Sequence, residues 1–225
     1  MKKKINICLI PARAGSRRLK NKNILKINNK PIISHVINNV KKTNIFNDIF
    51  VSTNSDKIKK IALKNKAKVV FKRPENISNS KATDVQVINH FLNFFKSKKW
   101  QIDNMLYIYP TAIFTNKLII KKSFNYFKNT RSKKLLLITE FNHPIERAIE
   151  KKRNKYKFKN AKKMNMRSQE LKKYYHDTGM LYFYQIKNYS LSNQKKFNAL
   201  IVKNFSYVDI NTKNDFNFAK KLINL

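Results

Sequence analysis

Between positions 13 and 22 the chain carries Arg13, Arg17, Arg18, Lys20 and Lys22, with Gly15 and Ser16 among them and Asn23 just beyond. A guanidinium offers a planar fork that suits phosphate oxygens, and an ammonium supplies a compact point charge, so several converging on one loop would offset the charge of a polyphosphate. Glycine occurs only twice in the whole sequence, at 15 and 179, so each marks a place where the backbone needs it. At 15, five residues past an apolar run, it permits a tight turn or a close approach of backbone N–H groups to a phosphate. A solvated basic turn is the competing reading in a lysine-rich chain. The loop fits neither the Walker pattern nor the dinucleotide glycine pattern, which both require more glycines, so a P-loop kinase and a dehydrogenase are disfavoured.

Two further groups could carry chemistry. Tyr175-His-Asp-Thr-Gly179 precedes the apolar run 180–186, which suggests a turn at the mouth of a site with His176, Asp177 or Thr178 facing it; a core or surface histidine is the alternative. Asp209 and Asn211 alternate around Ile210, and on a strand both side chains would reach one face. Tyr107, Tyr109, Tyr182 and Tyr184 read as strand and core residues rather than a stacking platform.

The elements that must position these groups follow from periodicity. Ile5-Asn-Ile-Cys-Leu-Ile10 is β-branched and apolar and reads as a buried strand. Pro31 starts a helix whose apolar positions Ile32, Ile33, Val36, Ile37 and Val40 keep the 3.6 period. A strand at 48–53, a helix at 55–65 opened by Ser55 or Asp56 and a strand at 68–71 complete βαβαβ. The alternation continues with a helix at 82–96, a strand at 105–109, a helix at 116–128 and a strand at 134–139. It lapses over the basic segment 142–175, a hairpin arm or a linker. It resumes with strands at 180–186 and within 200–209, and a closing helix at 215–225. The expected fold class is α/β, a three-layer αβα arrangement around a mainly parallel, Rossmann-like sheet. Ligands in such sheets bind beyond the carboxyl ends of the strands, which directs attention to the loops 11–23, 73–84 and 110–115.

Length and composition bound the rest. A chain of 225 residues supports one domain spanning 1–225, with 142–175 as an arm. The formal charge of +38 fits either a polyanion partner or recruitment of a small anionic substrate. The lysines are scattered as doublets, the mark of solvated faces, and no RNA- or DNA-binding signature accompanies them. Cys8 is alone, so no disulfide forms within the chain. The first 16 residues imitate a secretion signal, but the apolar run at 5–10 falls short of the roughly 7 to 15 apolar residues of a signal core. With no membrane-length apolar run, a cytoplasmic location is expected.

Ile10-Pro-Ala-Arg-Ala-Gly-Ser16, Lys22-Asn23 and Lys30-Pro31 resemble the opening of the cytidylyltransferases that activate acidic sugars, the acylneuraminate, pseudaminate and 3-deoxy-manno-octulosonate families. The resemblance extends to Val51-Ser-Thr53, Arg73-Pro-Glu75, Tyr109-Pro-Thr111 and Val208-Asp-Ile-Asn-Thr212, and so spans essentially the full chain. Tyr107-Ile-Tyr-Pro-Thr-Ala112, Glu140-Phe-Asn-His-Pro-Ile-Glu-Arg147 and Arg167-Ser-Gln169 followed by Tyr175-His-Asp-Thr-Gly179 look like the pseudaminate branch. The resemblance implies transfer of CMP from CTP to a nine-carbon 2-keto sugar acid with release of pyrophosphate, assisted by Mg²⁺, in a homodimer whose arm reaches the partner subunit. N-acetylneuraminate and legionaminate are the alternative acceptors. A basic nucleic-acid-binding module and a decayed, inactive enzyme are the rivals from other classes.

The resemblance also distributes roles. Arg13, Arg17 and Lys22 would contact the triphosphate together with the loop residues Ala12, Ala14, Gly15 and Ser16. Asn23 would hold the nucleotide or the loop, and Arg73 the cytosine, with backbone groups near Ala82 and Thr83. Asp209 and Asn211 would hold the metal, and Arg13, Lys22 and Asp209 would carry catalysis. Tyr109, Thr111, Arg167, Gln169, His176, Asp177 and Thr178 would face the sugar, Arg167 and Gln169 through its carboxylate and N-acyl groups. Three departures stand out: Asn211 where the family has a second aspartate, Lys20 where many relatives have proline, and Ser78-Asn-Ser80 without the aspartate often found there. A neutral amide oxygen in place of a carboxylate weakens the expected metal binding.

Overall fold

The computed structural model describes residues 4–96, 101–188, 196–203 and 207–223. In chain order the elements are β1 (Lys4–Pro11), β2 (Lys26–Ile27), β3 (Lys30–Pro31), α1 (Ile32–Lys41), β4 (Asp48–Ser52), α2 (Asp56–Lys64), α3 (Asp84–Lys96) and β5 (Gln101–Ile108). They continue with α4 (Lys117–Asn129), β6 (Lys134–Glu140), β7 (Ile149–Lys152), β8 (Lys155–Phe158), β9 (Tyr175–Gln185), β10 (Asn198–Ile201) and α5 (Lys213–Leu222).

Six strands form one sheet in the order β10-β6-β9-β5-β1-β4, and all pairings are parallel except those of β9, which runs antiparallel between β5 and β6. The two faces of β1 show why three layers result. Ile5, Ile7 and Leu9 pack with Val87, Ile88, Phe91 and Phe95 of α3. Cys8 and Ile10 point the other way, into a core built with α1, α2, α4 and α5 through Ile33, Val36, Ile58, Ile120, Phe127, Phe216 and Ala219. Side chains alternate across a strand, so a continuous apolar run serves both layers at once.

Most helix ends follow their chemistry. Ser55 accepts from the Ile58 N–H and Asn116 from the Ile119 N–H, each satisfying a donor that the first turn leaves open. Thr212 and Asp215 cap α5 reciprocally: Thr212 Oγ1 accepts from the Asp215 N–H, and Asp215 accepts from the Thr212 N–H.

Three expectations change, and of the two readings of the arm the hairpin holds. Residues 68–71 are no strand; this edge meets β4 and Thr53 through isolated bridges at Lys68 and Lys72 and the Lys68–Asp48 ion pair, with Val70 exposed, the pattern of a blunted sheet edge. The late strand is β10, at Asn198–Ile201, so Asp209 and Asn211 lie on an irregular segment, and strand alternation is not what orients them. The arm contains a true hairpin, β7 paired with β8 from Ile149↔Phe158 to Lys152↔Lys155, with every strand residue exposed. Gly179 sits inside β9 rather than before it. The β6–β9 register jumps there from Leu136↔Tyr182 to Ile138↔Asp177, and Gly179 takes φ +63 in the resulting bulge.

Candidate active site

The loops after β1, after the irregular edge at 68–72 and after β5 meet over the sheet and enclose a cleft of about 260 Å³. One wall is the loop after β1, contributing Arg13, Ser16, Arg17, Arg18, Lys22 and Asn23. The facing wall is the segment 73–84, contributing Arg73, Asn79, Ser80, Ala82 and Asp84. The floor is the end of β5 and the residues beyond it, Tyr107, Tyr109, Pro110 and Thr111, and Asn211 closes one side. This is where ligands bind in open α/β sheets.

The basic loop is held from several directions. The Asn23 side chain donates to the Arg13 carbonyl at 3.0 Å, and the Ala14 N–H donates to Asn54 Oδ1 at 2.8 Å. Asn54 in turn donates to Glu75, tying the loop to the facing wall. Gly15 takes φ +73, and a Cβ there would meet open space, so conformation rather than crowding calls for glycine. Ala14 and Gly15 line a small adjoining pocket of about 30 Å³ that also includes Arg13, Ser16, Lys22 and Asn23. Ala12 lines neither pocket: it is fully buried and its N–H donates to the Ser52 carbonyl.

Lys22 and Arg18 reach across to the segment before α5. Lys22 Nζ donates to the Ile210 carbonyl at 2.9 Å and to Asn211 Oδ1 at 3.2 Å, and Arg18 donates to the same oxygen at 2.7 Å. Burial lowers the Lys22 pKa, Asp209 opposes that shift, and Arg18 and Arg13 reinforce it. An anion in the cleft would relieve the mutual repulsion of these cations.

Arg73 is 3% exposed, and its Nε and Nη2 have no partner. Desolvation pushes its pKa down to about 10, with Arg13 adding to the fall and Tyr107, Asp84 and Glu75 opposing it. A buried guanidinium with idle N–H groups on a cleft wall is a donor set awaiting an acceptor. Ala82 lines the cleft while its N–H donates to Asn79 Oδ1. Thr83 does not line it; its hydroxyl accepts from the Gln86 N–H and helps start α3.

Asp84 is the residue that sequence reasoning passed over. Its carboxylate accepts the Tyr107 hydroxyl at 2.7 Å and the Tyr109 hydroxyl on its second oxygen. Burial, followed by the Asp84 charge, raises both phenol pKa values and keeps these tyrosines neutral donors. No local signal in Ala82-Thr-Asp84 announced this; the packing of α3, which Asp84 begins, against the face of the sheet that carries Tyr107 brings the groups together.

The residues assigned to the sugar divide. Tyr109 and Thr111 line the cleft. Asp177 accepts from Tyr182 at 2.5 Å and from the Gly179 N–H at 2.8 Å, Thr178 is buried and donates to the Leu137 carbonyl, and His176 Nε2 meets the Tyr207 hydroxyl at 3.2 Å. These three sit at the carboxyl end of β6, outside the cleft lining. Arg167 and Gln169 lie exposed on the arm. Asp209 is also outside the lining, and its carboxylate accepts from Asn211 Nδ2 at 2.6 Å.

Sheet order and cleft together define an α/β fold with a basic pocket beyond the carboxyl ends of its strands. A solved structure of CMP:2-keto-3-deoxy-manno-octonic acid synthetase, complexed with CTP, superposes with a TM-score of 0.69 over 98% of both chains at 13% identity, a likeness of fold. The family model described as Cytidylyltransferase matches residues 7–223, and the chain belongs to that family. It is 35% identical over 222 residues, 96% of this chain and 95% of the relative, to a pseudaminic acid cytidylyltransferase of Campylobacter jejuni subsp. jejuni. An N-acylneuraminate cytidylyltransferase of Streptococcus agalactiae is 28% identical over 93% of this chain and 51% of the relative.

Proposed function

We propose that the chain transfers CMP from CTP to pseudaminic acid, an acidic nine-carbon 2-keto sugar, and releases pyrophosphate. The observation that carries this reading is the buried, half-partnered Arg73 facing a loop of four cations across one cleft, in a cytidylyltransferase family member. Arg13, Arg17 and Lys22 neutralise the triphosphate, and Arg73 donates to the acceptor atoms of the cytosine edge. Fixed cations in a partly water-excluded cleft stabilise charge that develops on the leaving pyrophosphate and hold the reacting atoms in line.

A divalent ion fits this site in one form. Asp209 offers a carboxylate and Asn211 an amide oxygen, and Mg²⁺ accepts such a sparse protein contribution when phosphate oxygens and water complete its six ligands. Bound there, it would supply charge neutralisation at the phosphates. Asn211 Oδ1 accepts from Arg18 and Lys22, so one of those donors must give way for that oxygen to bind the ion.

The exposed hairpin β7–β8, with Ile149 and Tyr156 more than half exposed, supports a homodimer in which the arm packs on a second copy. Among the described residues no helix is long and apolar enough to cross a membrane, and we place the enzyme in the cytoplasm. Incubation with CTP, Mg²⁺ and pseudaminic acid, followed by mass spectrometry, tests the function. A CMP-sugar product supports it, and its absence with folded, CTP-saturated protein overturns it.

A further inference from the structure

The acceptor hydroxyl must lose a proton as its oxygen attacks the α-phosphorus, and the cleft limits what can receive it. Arg13, Arg17, Arg18 and Arg73 are cations that hold their protons, and Lys22 is committed as a donor to Ile210 and Asn211. No histidine lines the cleft, and Asp84 is the only carboxylate that does so among the described residues. A carboxylate set among groups that bind phosphate is repelled by the triphosphate, so its place in the wall asks for a proton-bearing partner instead. Its two oxygens accept the hydroxyls of Tyr107 and Tyr109, and the two differ in access: Tyr107 is fully buried, whereas Tyr109 is half-buried and borders the cleft.

The geometry points to Asp84 as the terminal proton acceptor, reached through Tyr109. This assignment rests on the cytidylyl-transfer reading above. As the acceptor O–H bond breaks, its proton passes to the Tyr109 oxygen while the Tyr109 proton passes to Asp84. The freed oxygen bonds to the α-phosphorus, and the bond from that phosphorus to the β-phosphate oxygen breaks, sending pyrophosphate away with the electron pair. Tyr107 anchors the carboxylate from below and takes no part in the transfer. The arrangement also gives Tyr109 its orientation, with Tyr182 edge-on to its ring at 6.1 Å.

Steady-state kinetics with CTP and pseudaminic acid tests the assignment in Asp84→Asn, Tyr109→Phe and Tyr107→Phe. General-base catalysis contributes about 10²–10⁴-fold, so kcat should fall by about that factor in the first two variants, with the KM for CTP within about threefold of wild type. Tyr107→Phe loosens the carboxylate but leaves the relay intact, so it should lose less kcat than either, and a loss as large as that of Tyr109→Phe would contradict the route through Tyr109. If Asp84→Asn or Tyr109→Phe retains more than about a tenth of wild-type kcat, or if the loss lies in the KM for CTP, the assignment is wrong. Should Asp84→Asn fail to fold, Tyr109→Phe decides alone, since it removes one oxygen and keeps the ring packing. A wild type that makes no CMP-sugar sinks the functional reading and this assignment together; an active wild type with active variants sinks the assignment only.

Discussion

Arg73 concentrates the conflict between stability and function in one side chain. Its guanidinium is buried with two nitrogens unpartnered, so the free enzyme bears a desolvation cost that bound nucleotide would offset. Arg73→Met should therefore raise the melting temperature of the nucleotide-free protein, by about 2–4 °C per kcal/mol recovered, while CTP affinity falls at least about tenfold. Differential scanning fluorimetry with and without CTP reads both, and a lower melting temperature without CTP would contradict this. Asn211 makes a second residue-scale test. A carboxylate there would attract Mg²⁺ and also pair with Arg18 and Lys22. Asn211→Asp should lower the Mg²⁺ concentration for half-maximal rate by about three- to tenfold; equal half-saturation in both proteins would show that this oxygen does not meet the ion. The basic loop was legible in the sequence because clustered arginines are a local signal, whereas Arg73 entered only through the family resemblance of Arg73-Pro-Glu75. Asp84 and Asn54 were not, since each is an isolated polar residue whose partner is distant in sequence and arrives through the packing of α3 on the sheet or the pairing of β1 with β4.

At the scale of elements, periodicity read the buried parts well and the partly paired parts poorly. Strand β1 and helices α1, α2 and α4 fall where the apolar spacing puts them, because burial on one or both faces fixes that spacing. The edge at 68–71 and the segment around Asp209 were misread as regular strand. A few β-branched residues satisfy the local pattern in either case, while the pairing that makes a strand lies elsewhere in the chain. The reciprocal cap at Thr212 and Asp215 matters beyond α5, because the Asn211 N–H also donates to Asp215 at 2.9 Å. Burial raises the Asp215 pKa and the N–H bonds from Asn211 and Thr212 lower it, with a net downward shift. Thr212→Ala should cost about 1 kcal/mol of stability. It should also raise the KM for CTP by loosening the segment that Lys22 and Arg18 grip. A variant with lower stability but unchanged KM would show the cap to be purely structural.

For the whole molecule, 50 basic residues face 12 acidic ones. Among the described residues the ion pairs are few; Lys173–Glu140 at 3.1 Å is exposed and contributes little, and Lys163–Glu146 at 3.5 Å is the pair with a buried carboxylate. Self-repulsion then dominates the long-range electrostatics, and salt screens it. The melting temperature should rise as NaCl increases from about 50 to 500 mM, across which the Debye length shrinks severalfold. A fall would mean that specific ion pairs outweigh repulsion. The same excess positive charge, focused on the cleft by the loop after β1, would draw in an anionic nucleotide and an anionic sugar, and it carries no information about which sugar. Under the proposed function that choice falls to Tyr109 and Thr111 at the cleft, so composition could indicate an anionic substrate but not its identity. The most direct measurement is pyrophosphate release from CTP and Mg²⁺ with pseudaminic, legionaminic, N-acetylneuraminic and 3-deoxy-manno-octulosonic acids offered separately. The account predicts the highest kcat/KM with pseudaminic acid, and release with none of the four would contradict it.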